Sequence, residues 1–407
     1  MVLPITRRQF NAAALSTAFL PLISCKKKSV GANALKIGVL LPTSGHQAAL
    51  GQECKKGMEV AGPVMQELLG VECDFLFGDT ESNVNAGRTK AEKLIQEGAH
   101  VIVGCYDSGV SSAVAQVCEQ RKIPLVLIVS VVPQLTEQGY KYIFRNFPTG
   151  PMLIKNGLML MKDLFEYSKI APKKAAFIYV KETYGETMKA GVDKILPSFN
   201  MPFEIVSTIG YDPKTTDLST EVAKIKESGA DFIIPATRLN DGMLLIKEVM
   251  KQKLNIMGIA NLGGGGMYEK EFFNQMGDLS NHWISNTAWY NPKAKIVDPV
   301  SRVFAQKYPD SFLETSSMAT FEAIHIACDA FKRAGSTNPQ ELRDALAQTN
   351  IEDHLSLGGP IQFDEKGQGK NVRSASMQNS GGRPRVIFPV EAREADPVFP
   401  IPSYTKA

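Results

Sequence analysis

From Leu35 onward short apolar runs alternate with longer amphipathic stretches. Residues 36–41, stopped by Pro42, are predicted as a buried strand. Residues 47–69 are predicted as a helix, because Met58, Val60, Val64, Met65 and Leu68 recur at helical spacing. The same pattern predicts strands at 71–77, 101–104 and 123–129, with helices at 84–97 and 110–121 between them. After Phe147-Pro148-Thr149-Gly150 it starts again, with strands at 174–180, 203–208, 231–235 and 256–260 and helices at 186–196, 218–227 and 241–251. Alternation of this kind builds parallel sheets with helices on both faces. The last third departs from it: a strand at 282–288, helices at 301–307, 316–334 and 339–347, then a strand ending in a Gly-rich turn over 357–369.

At 407 residues the chain exceeds what one core normally serves, so two α/β lobes with a ligand cleft between them are expected. A hydrophobic content of 44% excludes disorder. Forty-five basic against 42 acidic residues leave a net charge of +3, which gives no electrostatic case for nucleic acid and leaves small neutral or anionic ligands open. After the first 25 positions no apolar run approaches the ~20 residues of a spanning helix.

Those first positions read as an address. Thr6-Arg7-Arg8-Gln9-Phe10 precedes an apolar stretch from Ala12 to Ile23 and then Ser24-Cys25, the layout of a secretory signal. The arginine pair resembles a twin-arginine export signal, and Leu22-Ile23-Ser24-Cys25 resembles a bacterial lipobox. The second resemblance implies cleavage after residue 24, a lipid on Cys25 that anchors the chain to a membrane, and a tether over 25–33. With Cys25 set aside, Cys54, Cys73, Cys105, Cys118 and Cys328 form no Cys-x-x-Cys spacing. One disulfide is compatible with export, and the sequence does not say which pair would make it.

Chemistry-bearing motifs are sparse, and neither a metal nor a cofactor is expected. His46, His100, His282, His325 and His354 form no His-Glu-x-x-His pattern, and Gly263-Gly264-Gly265-Gly266 lacks the lysine of a phosphate loop. That glycine run is expected to be a mobile loop near the cleft. No nucleophile elbow accompanies a suitable Asp and His. An enzyme is not expected.

Four segments in order carry a resemblance: Pro42-Thr43-Ser44-Gly45, Val103-Gly104 with Ser108, Tyr184-Gly185-Glu186, and Gly358 to Gly367. Together they resemble the type I periplasmic binding proteins, and more narrowly the Leu/Ile/Val-binding group of ABC transporter substrate-binding lipoproteins. The resemblance implies two doubly wound parallel-sheet lobes joined by three hinge crossovers. The expected lobes are 34–148 with 283–355, and 149–282 with 356–407. It implies no catalysis, an extracytoplasmic place, an ABC permease as partner, and an amino acid or organic acid in the cleft. A ligand-sensing receptor of the same fold is the alternative.

The resemblance also implies site residues. Ser108, at a strand-to-helix junction, matches a residue that holds a carboxylate at a helix N-terminus, though a helix cap alone would also explain it. Tyr184 matches a tyrosine covering the ligand, with core packing as its other reading. Ser130 stands one residue from the position of a family threonine. Tyr106 and Asn261 complete the candidate set. The pattern breaks at Ile259-Ala260-Asn261-Leu262-Gly263, where no carboxylate is present to meet an ammonium group. Arg238 stands where the amino-acid binders often place an aromatic. Arginine suits capture of a carboxylate, which points to an acid without an α-amino group, unless Arg238 faces solvent or pairs with Asp241.

Overall fold

The computed structural model describes residues 34–402, so the signal, the tether and Cys25 lie outside the described residues. The first sheet grows from β1 (Ala34–Leu41), α1 (Ala48–Leu69), β2 (Glu72–Asp79), α2 (Val84–Gln96), β3 (Val101–Gly104), α3 (Ser108–Arg121), β4 (Leu125–Leu127), the short α4 (Gln134–Glu137) and β5 (Ile143–Arg145). Its strands run parallel in the order β2-β1-β3-β4-β5. Central β1 and β3 are buried along nearly their whole length and read as continuous apolar runs, as a sheet covered on both faces requires. Edge strand β2 is mostly half-exposed.

Helix α5 (Gly150–Ser168), capped by Thr149, leads into a second parallel sheet. It is built from β6 (Lys174–Val180), α6 (Thr183–Ile195), β7 (Glu204–Tyr211), α7 (Ser219–Glu227), β8 (Phe232–Ala236), α8 (Leu239–Lys251) and β9 (Gly258–Ile259), in the order β7-β6-β8-β9. After α9 (Lys270–Met276) comes β10 (Ile284–Ala288), bridged in parallel to the end of β9 through Ala260 and Ile284. The chain then returns to the first sheet: α10 (Val297–Lys307) and α11 (Thr315–Ala334) both pack on α1, and α12 (Pro339–Ala347) packs on α11. Finally β11 (Ser374–Ser380) and β12 (Arg383–Phe388) add antiparallel to β10. Among the described residues no helix is long and apolar enough to cross a membrane.

The architecture is the expected α/β pair of parallel sheets, with local differences; among them α4, β5, α5 and α9 have no predicted counterpart. Residues 357–369 form no continuous strand; isolated bridges Gly358 to Val372 and Phe363 to Gly369 pin a loop closed by the turn at Asp364–Gly367. Strands β11 and β12 have no counterpart in the periodicity analysis. In β11, Ser-Ala-Ser-Met-Gln-Asn-Ser is polar yet buried, because its amides serve loops: Asn379 donates to the carbonyls of Met267 and Ser280, and Gln378 donates to those of His282 and Val398. Burial without hydrophobicity leaves no alternation to find. Lastly, β10 pairs with β11 along its length.

Two buried charges fix the crossing segments. Fully buried Arg145 donates to the carbonyls of Ser130 and Val132, to Thr136 Oγ1 and to Gln368 Oε1, joining the loop after β4 to the 364–368 turn. Glu322 on α11 accepts from Asn146 Nδ2, from the backbone and hydroxyl of Ser356, and lies 3.4 Å from His354 Nδ1. Burial pushes the Glu322 carboxyl up, but His354 and Ser356 hold it below the usual range; His354 is raised in turn by Glu322 against its own burial. His325, one turn on, is a buried core histidine.

Helices α1 and α11 meet at Gly57, where an added Cβ would lie 2.1 Å from the Ser317 carbonyl oxygen. Gly57→Ala must therefore part α1 from α11, the contact by which the returning chain packs onto the first sheet. It should lower stability by about 1–3 kcal/mol in urea unfolding; a loss within about 0.5 kcal/mol would mean that this contact is not close-packed.

Candidate functional site

A small cavity of about 30 Å³ lies where strand ends of the two parallel sheets face each other. The first sheet contributes Tyr106 and Ser108 after β3, Val129 and Val131 after β4, and Phe147, with Leu50 from α1. The second contributes Tyr184 on α6, Thr237 and Arg238 after β8, Leu239 on α8, and Gly264 and Gly265 after β9. Carboxyl ends of parallel strands are where open α/β sheets place ligands, since each strand there opens into a loop or helix N-terminus.

At the first sheet the β3–α3 junction is capped by Asp107, whose Oδ1 accepts from the amides of Gly109 and Val110 at 2.7 and 3.0 Å. Its other oxygen accepts from Gln47 Nε2 at 2.7 Å and from Arg238 Nη2 at 2.9 Å. Asp107 is thus the helix cap, which leaves the Ser108 hydroxyl to the cavity wall. Arg238 comes from the second sheet, where its Nε donates to Glu182, at the start of α6, and its guanidinium lies 5.2 Å from the Tyr184 ring centroid. The expected alternatives for Arg238, solvent or Asp241, are both replaced: Asp241 accepts instead from the Tyr211 hydroxyl. Burial pushes Asp107 up, but Arg238, the two amides and Gln47 hold its carboxyl below the ordinary carboxylate range.

Arg238 also borders a larger outer groove, about 370 Å³, with His46, Glu182, Lys214, Asp241 and Lys247 around it. The guanidinium therefore stands as a partition between groove and inner cavity. His46, Asp107 and Glu182 have ligand atoms within 4.8 Å of one another, the spacing of a metal trio. Two of the three are already engaged by Arg238, so the cation this trio serves is the guanidinium.

The remaining candidates separate into wall and scaffold. Tyr184 donates its hydroxyl to the Gly263 carbonyl at 2.6 Å while its ring faces the cavity. Tyr106 is a buried wall residue. Asn261 is scaffold: it donates to Ser285 Oγ and accepts from the amides of Gly263 and Asn286. Ser130 is fully buried with its hydroxyl unpartnered, behind the lining residues. The glycine run, expected as a mobile loop, is a wall held by Tyr184 and Asn261; all four glycines have positive φ, and a Cβ on Gly264 would sit 3.0 Å from the Tyr184 hydroxyl. Glu182 and Thr237 escaped the sequence analysis, although each lies two residues past a predicted strand end, and that position is the signal. Thr237 Oγ1 is buried without a partner.

Behind Tyr106 lies a pair of carboxyls. Glu269 and Glu314, the N-caps of α9 and α11, are fully buried. Ser316 Oγ donates to Glu269, and the Lys270 amide donates to Glu314. Burial raises both, Glu269's charge further raising Glu314, so the folded pair retains a proton.

Two open parallel sheets with a small, mostly apolar cavity between their strand ends define a two-lobed α/β ligand-binding protein. Over residues 34–381 the sequence matches the Periplasmic binding protein family, and the chain belongs to that family. It is 24% identical to Leu/Ile/Val-binding protein homolog 8 of Brucella abortus (strain 2308), over 88% of this chain and 91% of the relative. Its fold is similar to that of a leucine-binding protein LivK from Thermotoga maritima, with TM-score 0.75, 20% identity and coverage of 86% and 97% of the two chains. It is equally similar to an ABC transporter solute-binding protein of R. palustris in complex with benzoate, with TM-score 0.74, 20% identity and coverage of 89% and 99%. The family places the chain outside the cytoplasm as a binding protein.

Removing the guanidinium should leave the buried Asp107 carboxylate and the half-buried Glu182 carboxylate without their cation. Arg238→Ala is expected to cost about 2–4 kcal/mol in urea unfolding, and Arg238→Ala with Glu182→Gln to recover part of it; equal losses in the two would show that Glu182 carries no charge in the pair. A second test concerns pH. Glu269 and Glu314 bind their proton more tightly folded than unfolded, so the stability they contribute is complete below the ordinary carboxylate range and is lost as pH rises through their raised folded values. Glu269→Gln should flatten the fall in Tm between about pH 5 and pH 8; an unchanged slope would rule the pair out as its source.

Proposed function

We propose that this chain is the extracytoplasmic substrate-binding component of an ABC uptake transporter, and that its ligand is a small organic acid without an α-ammonium group. One observation carries the ligand class: the carboxylates that flank Arg238, Asp107 and Glu182, are spent on its guanidinium, and among the described residues no acid lines the cavity wall to receive an ammonium. Donors for a carboxylate remain. They are the Ser108 and Thr237 hydroxyls and the Nη1 edge of Arg238, which makes no hydrogen bond among the described residues. The rest of the wall is apolar or aromatic, with Phe147, Tyr106 and Tyr184 offering faces to a hydrophobic body. The R. palustris relative, solved with benzoate, is the precedent for such a ligand on this fold.

A cavity of about 30 Å³ holds little more than water, so capture requires the lobes to part at the Arg238 contact and close again on the ligand. We assign β10 to the second lobe, which then comprises 149–288 and 356–402 beside a first lobe of 34–148 and 289–355. Differential contact with ligand in the closed form is what an ABC permease would read. Export through residues 1–24 and a lipid on Cys25 would hold the protein at the membrane that carries the permease.

The test is a thermal-shift panel on the chain without its lipid, refolded to strip carried-over ligand. Benzoate, 4-hydroxybenzoate and aliphatic acids are set against leucine, isoleucine and valine. At ~100 times its dissociation constant a ligand stabilises by about 2.7 kcal/mol. Shifts with the acids alone are expected; a shift with leucine, isoleucine or valine would overturn the ligand class.

A further inference from the structure

The sulfurs of Cys73 and Cys328 lie 3.5 Å apart, though the residues are 255 positions apart in the chain. Cys73 is on β2, the edge strand of the first sheet, and Cys328 is on α11, which reaches that sheet only after the chain has visited the second. The two differ in access. Cys73 is half-buried at the floor of a groove of about 550 Å³ between α1 and β2, with Met58, Gly62, Pro63 and Phe75 beside it, whereas Cys328 is fully buried behind it. Cys54, Cys105 and Cys118 are fully buried and share no sulfur contact of this kind among the described residues. We propose that Cys73 and Cys328 are joined by a disulfide, formed after export by exchange with a donor that carries a disulfide.

Access sets the order of the exchange. The Cys73 thiolate attacks one sulfur of the donor disulfide; a mixed disulfide forms and the first donor thiolate leaves. The Cys328 sulfur then attacks the Cys73 sulfur, its proton passes to the departing second donor thiolate, and the donor leaves as a dithiol. Two protein thiols are oxidised, one donor disulfide is reduced, and both protons end on the donor. Burial and Cys73 itself hold the Cys328 thiol well above its ordinary value, so Cys328 acts second, as the resolving thiol. The cross-link staples an exposed sheet edge to a helix from the last third of the sequence. It lies away from the lining of the cleft, so its effect is on the folded state and not on ligand contact.

The experiment treats the reduced full-length chain with oxidised glutathione, blocks remaining thiols by alkylation and maps peptides without reduction. A cross-linked peptide pair containing residues 73 and 328 is expected, with Cys54, Cys105 and Cys118 recovered alkylated. Reduction should then lower Tm by about 5 °C, and Cys73→Ser or Cys328→Ser should abolish both the cross-link and this sensitivity. Recovery of Cys73 and Cys328 both alkylated, or of glutathione left on Cys73 with Cys328 free, would overturn the proposal. Should either variant fail to fold, the wild-type peptide map decides alone.

Discussion

A single guanidinium shared between carboxylates of two different sheets is the interaction on which the cleft depends. Asp107 belongs to the first sheet's β3–α3 junction, and Glu182 and Arg238 to the second sheet. The planar fork lets Nε and Nη2 serve one acid each, which an ammonium point charge cannot do in the same geometry. Because all three side chains are largely buried, separating them requires each to regain water as the cleft opens. The Tyr184 ring beneath Arg238 confines the fork further. Closure of the cavity, the direction of the Asp107 titration and the lack of an acid for an ammonium ligand all follow from this contact.

Much of the fold was legible because the two parallel sheets are covered on both faces, which forces their inner strands to be short apolar runs with helices between them. Strand β11 was not legible, since Gln378 and Asn379 are buried by virtue of the carbonyls they bind. The site was legible in position more than in wiring. Sequence order puts Tyr106, Ser108, Tyr184 and Arg238 at strand ends, and the structure brings all four to one cavity. It cannot show that Arg238 reaches across to Asp107, because that contact joins positions 131 apart whose facing is set only by the packing of two sheets. Asn261 sits at a comparable strand end but turns its amide to Ser285, Gly263 and Asn286.

Buried charges away from the cavity have a related structural role. Arg145 ties four partners from two chain segments, and Glu322 gathers Asn146, His354 and Ser356. Both stand where the backbone passes from one part of the molecule to another, where regular ladders are absent and polar backbone groups need partners. Hydrophobic packing alone would tolerate several placements of these segments; a charge with fixed partners tolerates one.

The pairing of β10 with β11 and β12 bears on how the chain is made. Strands from 284–288 and 374–388 form one antiparallel unit, and α11, at 315–334, completes the packing of the first sheet. Neither half of the molecule is whole until the last third of the chain has been synthesised. An emerging chain must therefore carry incomplete sheets with exposed apolar faces for most of its translation. Contacts of this sequence separation slow folding and prolong the exposure of those faces.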